Sequence, residues 1–187
     1  MAFTAILDAC VLYPAPLRDL LLHLGIAGIY RPRWSDAIHD EWVQALLRTR
    51  PELAPKLDRT RTLMNETVPD GLVTGHEALI PALALPDDND RHVLAAAIRC
   101  NADVIVTFNL RDFPRSALAP FDIEAQHPDV FLRHAIDFDS AVALGAIKRL
   151  RAGLRSPPKT AEDYIDTLLA QGLPTTADAL KPWVALI

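Results

Sequence analysis

The chain opens on a short apolar run, Phe3 to Leu7, that stops at Asp8. An apolar stretch of this length without alternation suits a parallel strand buried on both faces. Pro14 and Pro16 then introduce Leu17, Leu20, Leu21 and Leu24, the three-and-four spacing of an amphipathic helix, which Gly25 or Gly28 closes. Ile29 to Arg31 reads as a short second strand. Ser35 is a candidate N-cap for a helix to about Arg50, with an apolar stripe of Trp34, Ile38, Trp42, Ala45 and Leu46. Pro51 begins a further helix ending near Met64, and Asp70-Gly71 marks a turn. After Pro86-Asp87-Asp88-Asn89 comes a helix from about Asp90 to Cys100, then Val104 to Phe108, the clearest strand in the chain. A weaker strand is predicted near Phe121 to Glu124.

This order predicts an α/β domain over residues 1 to 125, with a parallel sheet flanked by helices. Residues 126 to 187 read as helical throughout, broken at Asp137, Ser156-Pro157-Pro158 and Gly172-Leu173-Pro174. They form the predicted all-helical C-terminal extension. Ligands of parallel sheets gather at the carboxyl ends of strands, where Asp8 and the segment Asn109 to Asp112 fall.

Charge narrows the classes. The 187 residues carry 24 Asp and Glu against 19 Lys and Arg, a net charge of -5 that argues against a polycation coating nucleic acid or membrane. Cys10 and Cys100 are too few for a disulfide scaffold and suit a reducing, cytoplasmic setting. Apolar runs are too short for a membrane span, and Met1 leads into apolar residues without the basic segment of a signal peptide.

Four acids stand where the pattern predicts burial or convergence. Asp8 ends an apolar strand. Glu41 is three after Ile38 and four before Ala45, inside or beside the helix stripe. Asp90 is three and four before Val93 and Leu94. Asp112 follows the best strand, and Asn109 in the same loop is a neutral candidate ligand or a turn former. Together they describe one anionic pocket, which protons or cations must compensate. Mg²⁺ or Mn²⁺ prefers such oxygen donors and can activate water against a phosphodiester.

These residues resemble PIN-domain nucleases, in particular the VapC-type toxins of bacterial toxin–antitoxin pairs. The resemblance rests on Ile6-Leu7-Asp8-Ala9-Cys10-Val11-Leu12, on Glu41 in Ile38-His39-Asp40-Glu41-Trp42, on Asp90-Arg91-His92-Val93-Leu94-Ala95-Ala96-Ala97, and on Val106-Thr107-Phe108-Asn109-Leu110-Arg111-Asp112-Phe113. It implies a metal-dependent endoribonuclease with Asp8, Glu41, Asp90 and Asp112 as catalytic, metal-binding acids and Asn109 as a further ligand candidate. It also implies an RNA substrate, a cognate antitoxin protein and a homodimer. Many relatives carry Asp-Thr-Asn where this chain has Asp8-Ala9-Cys10, which removes a polar side chain that often orients the first carboxylate. Many also carry Asp at position 109. The tail, with Pro157-Pro158-Lys159-Thr160-Ala161-Glu162-Asp163-Tyr164, resembles the helical extension of some longer members.

Lys148, Arg149, Arg151, Arg155 and Lys159 form a basic cluster with no acid among residues 140 to 161, able to grip RNA phosphates or simply to complement a helix end. His39 and His92 are expected at the surface, pointing away from the acids. Cys10 is expected to be a small buried residue, and Trp34 and Trp42 core. No phosphate-cradling glycine motif and no Gly-x-Ser-x-Gly elbow is present. The alternative function is a PIN-like binding or assembly module with little turnover; the four intact acids favour the enzyme.

Overall fold

The computed structural model describes residues 3–187, so the reading of the start at Met1 lies outside the described residues. Five parallel strands form one sheet in the order β3-β2-β1-β4-β5: β1 Thr4–Leu7, β2 Arg31–Ser35, β3 Leu72–Val73, β4 Val104–Val106 and β5 Glu124–Gln126. The α/β parallel sheet expected from the sequence is therefore present. β1 is fully buried and lies between β2 and β4, pairing Ala5 with Pro32 on one side and with Val104 on the other. The chain order reverses between β1 and β4, and the carboxyl edge at such a switch point is where parallel sheets open a crevice.

Several elements depart from their local signals. The second strand begins at Arg31, where the sequence reading ended it, and runs through Pro32. Alternate amides in a parallel strand face opposite neighbours. The Arg31 amide donates to Phe3 and the Trp34 amide to Gly71, so position 32 faces the side where β3 has not yet begun. A proline there costs no ladder bond. β3 itself has only two residues, too few to announce themselves beside the Asp70-Gly71 turn. The weak last strand falls at 124 to 126, because Ala119 to Phe121 form a 3₁₀ turn.

The helices are α1 Ala9–Leu12, α2 Ala15–Ile26, α3 Asp36–Thr49, α4 Ala54–Thr67, α5 Arg91–Arg99, α6 Arg115–Leu118, α7 Pro128–Phe138, α8 Ser140–Gly153, α9 Ala161–Ala170 and α10 Pro174–Leu180. None is long and apolar enough to cross a membrane. Contacts divide the described residues into two compact units, residues 3–13 with 31–127 and residues 14–30 with 128–187. The division differs from the sequence expectation of 1 to 125 and 126 to 187 in two respects: the segment bearing α2 groups with the C-terminal helices, and the sheet unit runs on to His127, since Gln126 ends β5. Its leucines Leu17, Leu20, Leu21 and Leu24 are fully buried.

The first unit contains the sheet and α3 to α5. Trp34 and Trp42 are core, at 0% and 1% exposure. Between them lies a polar chain missed in the sequence: Trp34 Nε1 and His39 Nε2 both reach Asn65 Oδ1, at 2.8 and 3.1 Å, and Trp42 Nε1 donates to His39 Nδ1 at 3.1 Å. With Nδ1 accepting, the proton sits on Nε2, and His39 is neutral; burial pushes its pKa down. His39 is fully buried rather than at the surface, because it completes the stripe of Ser35, Ile38 and Trp42.

In the second unit, Asp129 of α7 supplies the cap that α10 lacks at its own start, where Leu173 makes no side-chain bond. Its carboxylate accepts from the Thr175 amide at 2.9 Å and from the Thr176 amide and hydroxyl at 2.7 Å each. Burial raises the Asp129 pKa, yet these donors outweigh it and hold the group below the usual carboxylate range.

Candidate active site

Asp8 follows β1 and caps α1. Its Oδ1 accepts from the Ala9 amide at 2.7 Å, and its Oδ2 from Thr107 Oγ1 at 2.7 Å and Cys10 Sγ at 3.1 Å. Thr107 comes from the end of β4, across the switch point, and is itself held by the Asn109 amide at 2.9 Å. Asp8 is thus buried, at 5% exposure, and held by donors from both central strands. Cys10 takes the orienting part expected of the polar residue that relatives carry there. Its thiol is pushed up to about 12, by burial first and by the Asp8 charge second, so it stays protonated and donates rather than attacks.

Asp90 is the N-cap of α5, but its carboxylate makes no capping bond. Its pKa is raised from 3.8 to about 6, by burial first and then by the charges of Asp8, Asp112, Asp87 and Glu41. Three sequence-distant segments, those of Asp8, Glu41 and Asp112, therefore act on one carboxyl, together with its neighbour Asp87. Asp112 closes a tight turn through its amide to the Asn109 carbonyl, at 3.0 Å. Asn109 is exposed. Glu41 is half-exposed on α3, and its Oε1 meets His92 Nε2 at 2.8 Å. This corrects the expectation that His92 points away from the acids. Placed two after Asp90, in the first turn of α5, it reaches across to α3.

Among the described residues, no Lys or Arg forms an ion pair with Asp8, Glu41, Asp90 or Asp112. Nor do any three His, Cys, Asp or Glu side chains stand at metal-holding spacing. The acids form a shared negative field rather than a closed cage. Hard carboxylate oxygens and a carboxyl resisting ionisation make a donor set that fits Mg²⁺ or Mn²⁺. Residues missed by sequence reasoning are Thr107, whose position in the Thr-x-Asn motif was the available signal, and Asp87, which also bears on Asp90.

A PIN domain family model matches residues 4–111. The chain belongs to the PIN-domain family. A second model, the VapC50 C-terminal domain, matches residues 128–182, so this PIN protein is of the longer form with a helical extension. It is 38% identical over 118 residues to a Mycobacterium tuberculosis (strain ATCC 25618 / H37Rv) protein named "Putative ribonuclease VapC50", covering 61% of this chain and 69% of that relative. No solved structure matches significantly.

The five basic residues fall in the second unit of this PIN protein. Lys148, Arg149 and Arg155 are exposed. Arg151 and Lys159 are engaged: Arg151 donates to the Lys159 carbonyl at 2.7 Å, and Lys159 Nζ to Thr167 Oγ1 at 2.6 Å, which ties the loop between α8 and α9 to both helices.

Proposed function

We propose that this PIN protein is a divalent-metal-dependent endoribonuclease that acts as the toxin of a toxin–antitoxin pair. The reading is carried by the charges of Asp8, Glu41 and Asp112 all bearing on the Asp90 carboxyl, with no Lys or Arg pairing these four acids among the described residues. The similarity to the mycobacterial relative, which is named a ribonuclease, supports the same chemistry. A bound Mg²⁺ or Mn²⁺ would compensate the charge of the acids and supply an acidified water for phosphodiester hydrolysis. Asp8, Glu41, Asp90 and Asp112 would hold it, with Asn109 as a neutral addition.

The protein's part is preorganisation. Thr107 and Cys10 fix Asp8 Oδ2, and the Ala9 amide fixes Oδ1. His92 holds Glu41 by Oε1, which leaves Oε2 for the pocket. Asp90, with its pKa near 6, holds a proton part of the time near neutral pH and releases it when a cation compensates the field. In the second unit, Lys148, Arg149 and Arg155 are exposed and would meet RNA phosphates. A cognate antitoxin, a homodimeric state and a cytoplasmic setting complete the reading.

The test is total cellular RNA incubated with the purified protein in Mg²⁺ or Mn²⁺, in chelator, and with Asp8→Asn. Discrete fragments that vanish in chelator and in the variant are the expected result. Absence of both cleavage and metal-induced stabilisation would turn the reading to a binding or assembly module. Expression without the antitoxin is expected to arrest growth, and co-expression to restore it.

A further inference from the structure

Beside the acids, α1 and α3 of the first unit enclose an open recess of about 670 Å³ that the chemistry above touches only through Ala9, Cys10 and Glu41. Its apolar floor is Ala9, Ala45 and Trp42, and its polar groups are Tyr13, Gln44 and Arg48. On α3 the residues Glu41, Gln44, Ala45 and Arg48 follow the three-and-four spacing of one helix face. The recess is therefore continuous with the acid centre: Glu41 and Cys10 belong to both. From Glu41 to Arg48 the face extends roughly 10 Å along the axis.

The chemistry of the lining is specific. Tyr13 stands 39% exposed at the rim. Gln44 and Arg48 are exposed, and no hydrogen bond or ion pair engages the Tyr13 hydroxyl, the Gln44 amide or the Arg48 guanidinium among the described residues. Asp40, which also borders the recess, has its charge met by Arg61 at 2.6 Å. An aromatic face, an amide with both donor and acceptor, and a cation around an apolar floor match an unstacked nucleobase with its flanking phosphate. An antitoxin segment would also find the apolar floor, but it gives no reason for three unpartnered polar groups at one rim.

We propose that this recess is a base-binding subsite for an unpaired nucleobase next to the scissile phosphate, with Tyr13 stacking on it, Gln44 reading its edge and Arg48 meeting the phosphate beyond. The assignment rests on the ribonuclease reading for its substrate class, but its binding test needs no turnover. The full chain is titrated in Ca²⁺ with a randomised single-stranded RNA 10-mer and with an abasic ribose-phosphate 10-mer of the same length. Tyr13→Ala should weaken the base-bearing RNA about tenfold and leave the abasic strand unchanged, as loss of one stacked base requires. Tyr13→Phe should keep most of the affinity. Gln44→Ala, on an exposed helix position, provides a second variant whose fold is checked by melting; it should flatten the base preference at one position flanking the cut.

Equal weakening on both strands, or no weakening on either, overturns the subsite. If the variants bind RNA like the wild type but escape inhibition by the antitoxin, the recess belongs to that protein and the subsite also falls. Discrimination between the strands by a protein that cuts neither in Mg²⁺ nor in Mn²⁺ keeps the subsite and removes the nuclease. Cleavage with unchanged KM and cut-site preference in Tyr13→Ala keeps the nuclease and removes the subsite. A wild type that binds neither strand removes both.

Discussion

Replacing Asp90 with Asn should stabilise the metal-free protein, the reverse of most substitutions at a functional acid. The Asp90 pKa is about 6 in the folded chain against 3.8 as its ordinary value, through burial first and the charges of Asp8, Asp112, Asp87 and Glu41 next. Between those two values the folded state binds more protons than the unfolded one, so stability falls as pH rises through the window. The full shift is worth about 3 kcal/mol at 1.36 kcal/mol per unit. Asp90 is partly exposed, and solvent screening leaves roughly 1–2 kcal/mol. Asn removes the charge, and it loses no cap because the Asp90 carboxylate makes none. For a chain of this size the melting temperature should rise by roughly 3–6 °C at pH 7.5 in chelator. The gap should narrow as pH falls from 6 toward 3.8 and close below about pH 3, where Asp90 is protonated in both states, and it should shrink in high salt. Added Mn²⁺ should stabilise the wild type by about 2.7 kcal/mol at a hundredfold excess over its Kd and the variant by less, which reverses the order. Cleavage should be lost in the variant. A gap independent of pH, or a variant that melts below the wild type in chelator at pH 7.5, would refute the shared field.

Thr107→Val removes the 2.7 Å donor to Asp8 and the acceptor of the Asn109 amide. It should cost about 1–3 kcal/mol by denaturant titration and weaken metal-induced stabilisation. Gly71→Ala would bring a Cβ to 2.7 Å from the Trp34 ring and 2.9 Å from the Val68 carbonyl, so urea melts should report a loss of about 1–3 kcal/mol. Asp129→Ala strips three donors of their acceptor at the start of α10 and should cost about 2–4 kcal/mol. Since the Asp129 pKa is lowered on folding, its contribution is present above the ordinary value of 3.8 and disappears as pH falls through the folded value. Melts of wild type and Asp129→Ala should therefore converge only in strong acid. His92→Ala frees Glu41 Oε1 and should raise the Mn²⁺ concentration needed for half-maximal stabilisation, a shift read by thermal titration.

The sequence by itself determined the elements whose signals are local. β1 and β4 announce themselves as unbroken apolar runs, α3 and α5 by their stripes, and the helical tail by its proline and glycine breaks. The four acids stand out as candidates for the same reason: a carboxylate at the end of an apolar strand or on an apolar helix face is a local contradiction of burial. Tertiary structure alone decided how those acids are served. The bond from Thr107 to Asp8 spans 99 residues, and that from His92 to Glu41 spans 51. Both depend on the register of β4 beside β1 and on the rotation of α5 against α3, and neither is encoded in any short window. The same holds for Pro32 inside a strand, which is tolerable only because β3 starts two positions later, and for α2, whose leucine stripe is equally suited to a sheet or to other helices. An apolar face specifies that it must be buried, at roughly 25 cal/mol per Å², but not against what. That choice is made by the whole chain at once.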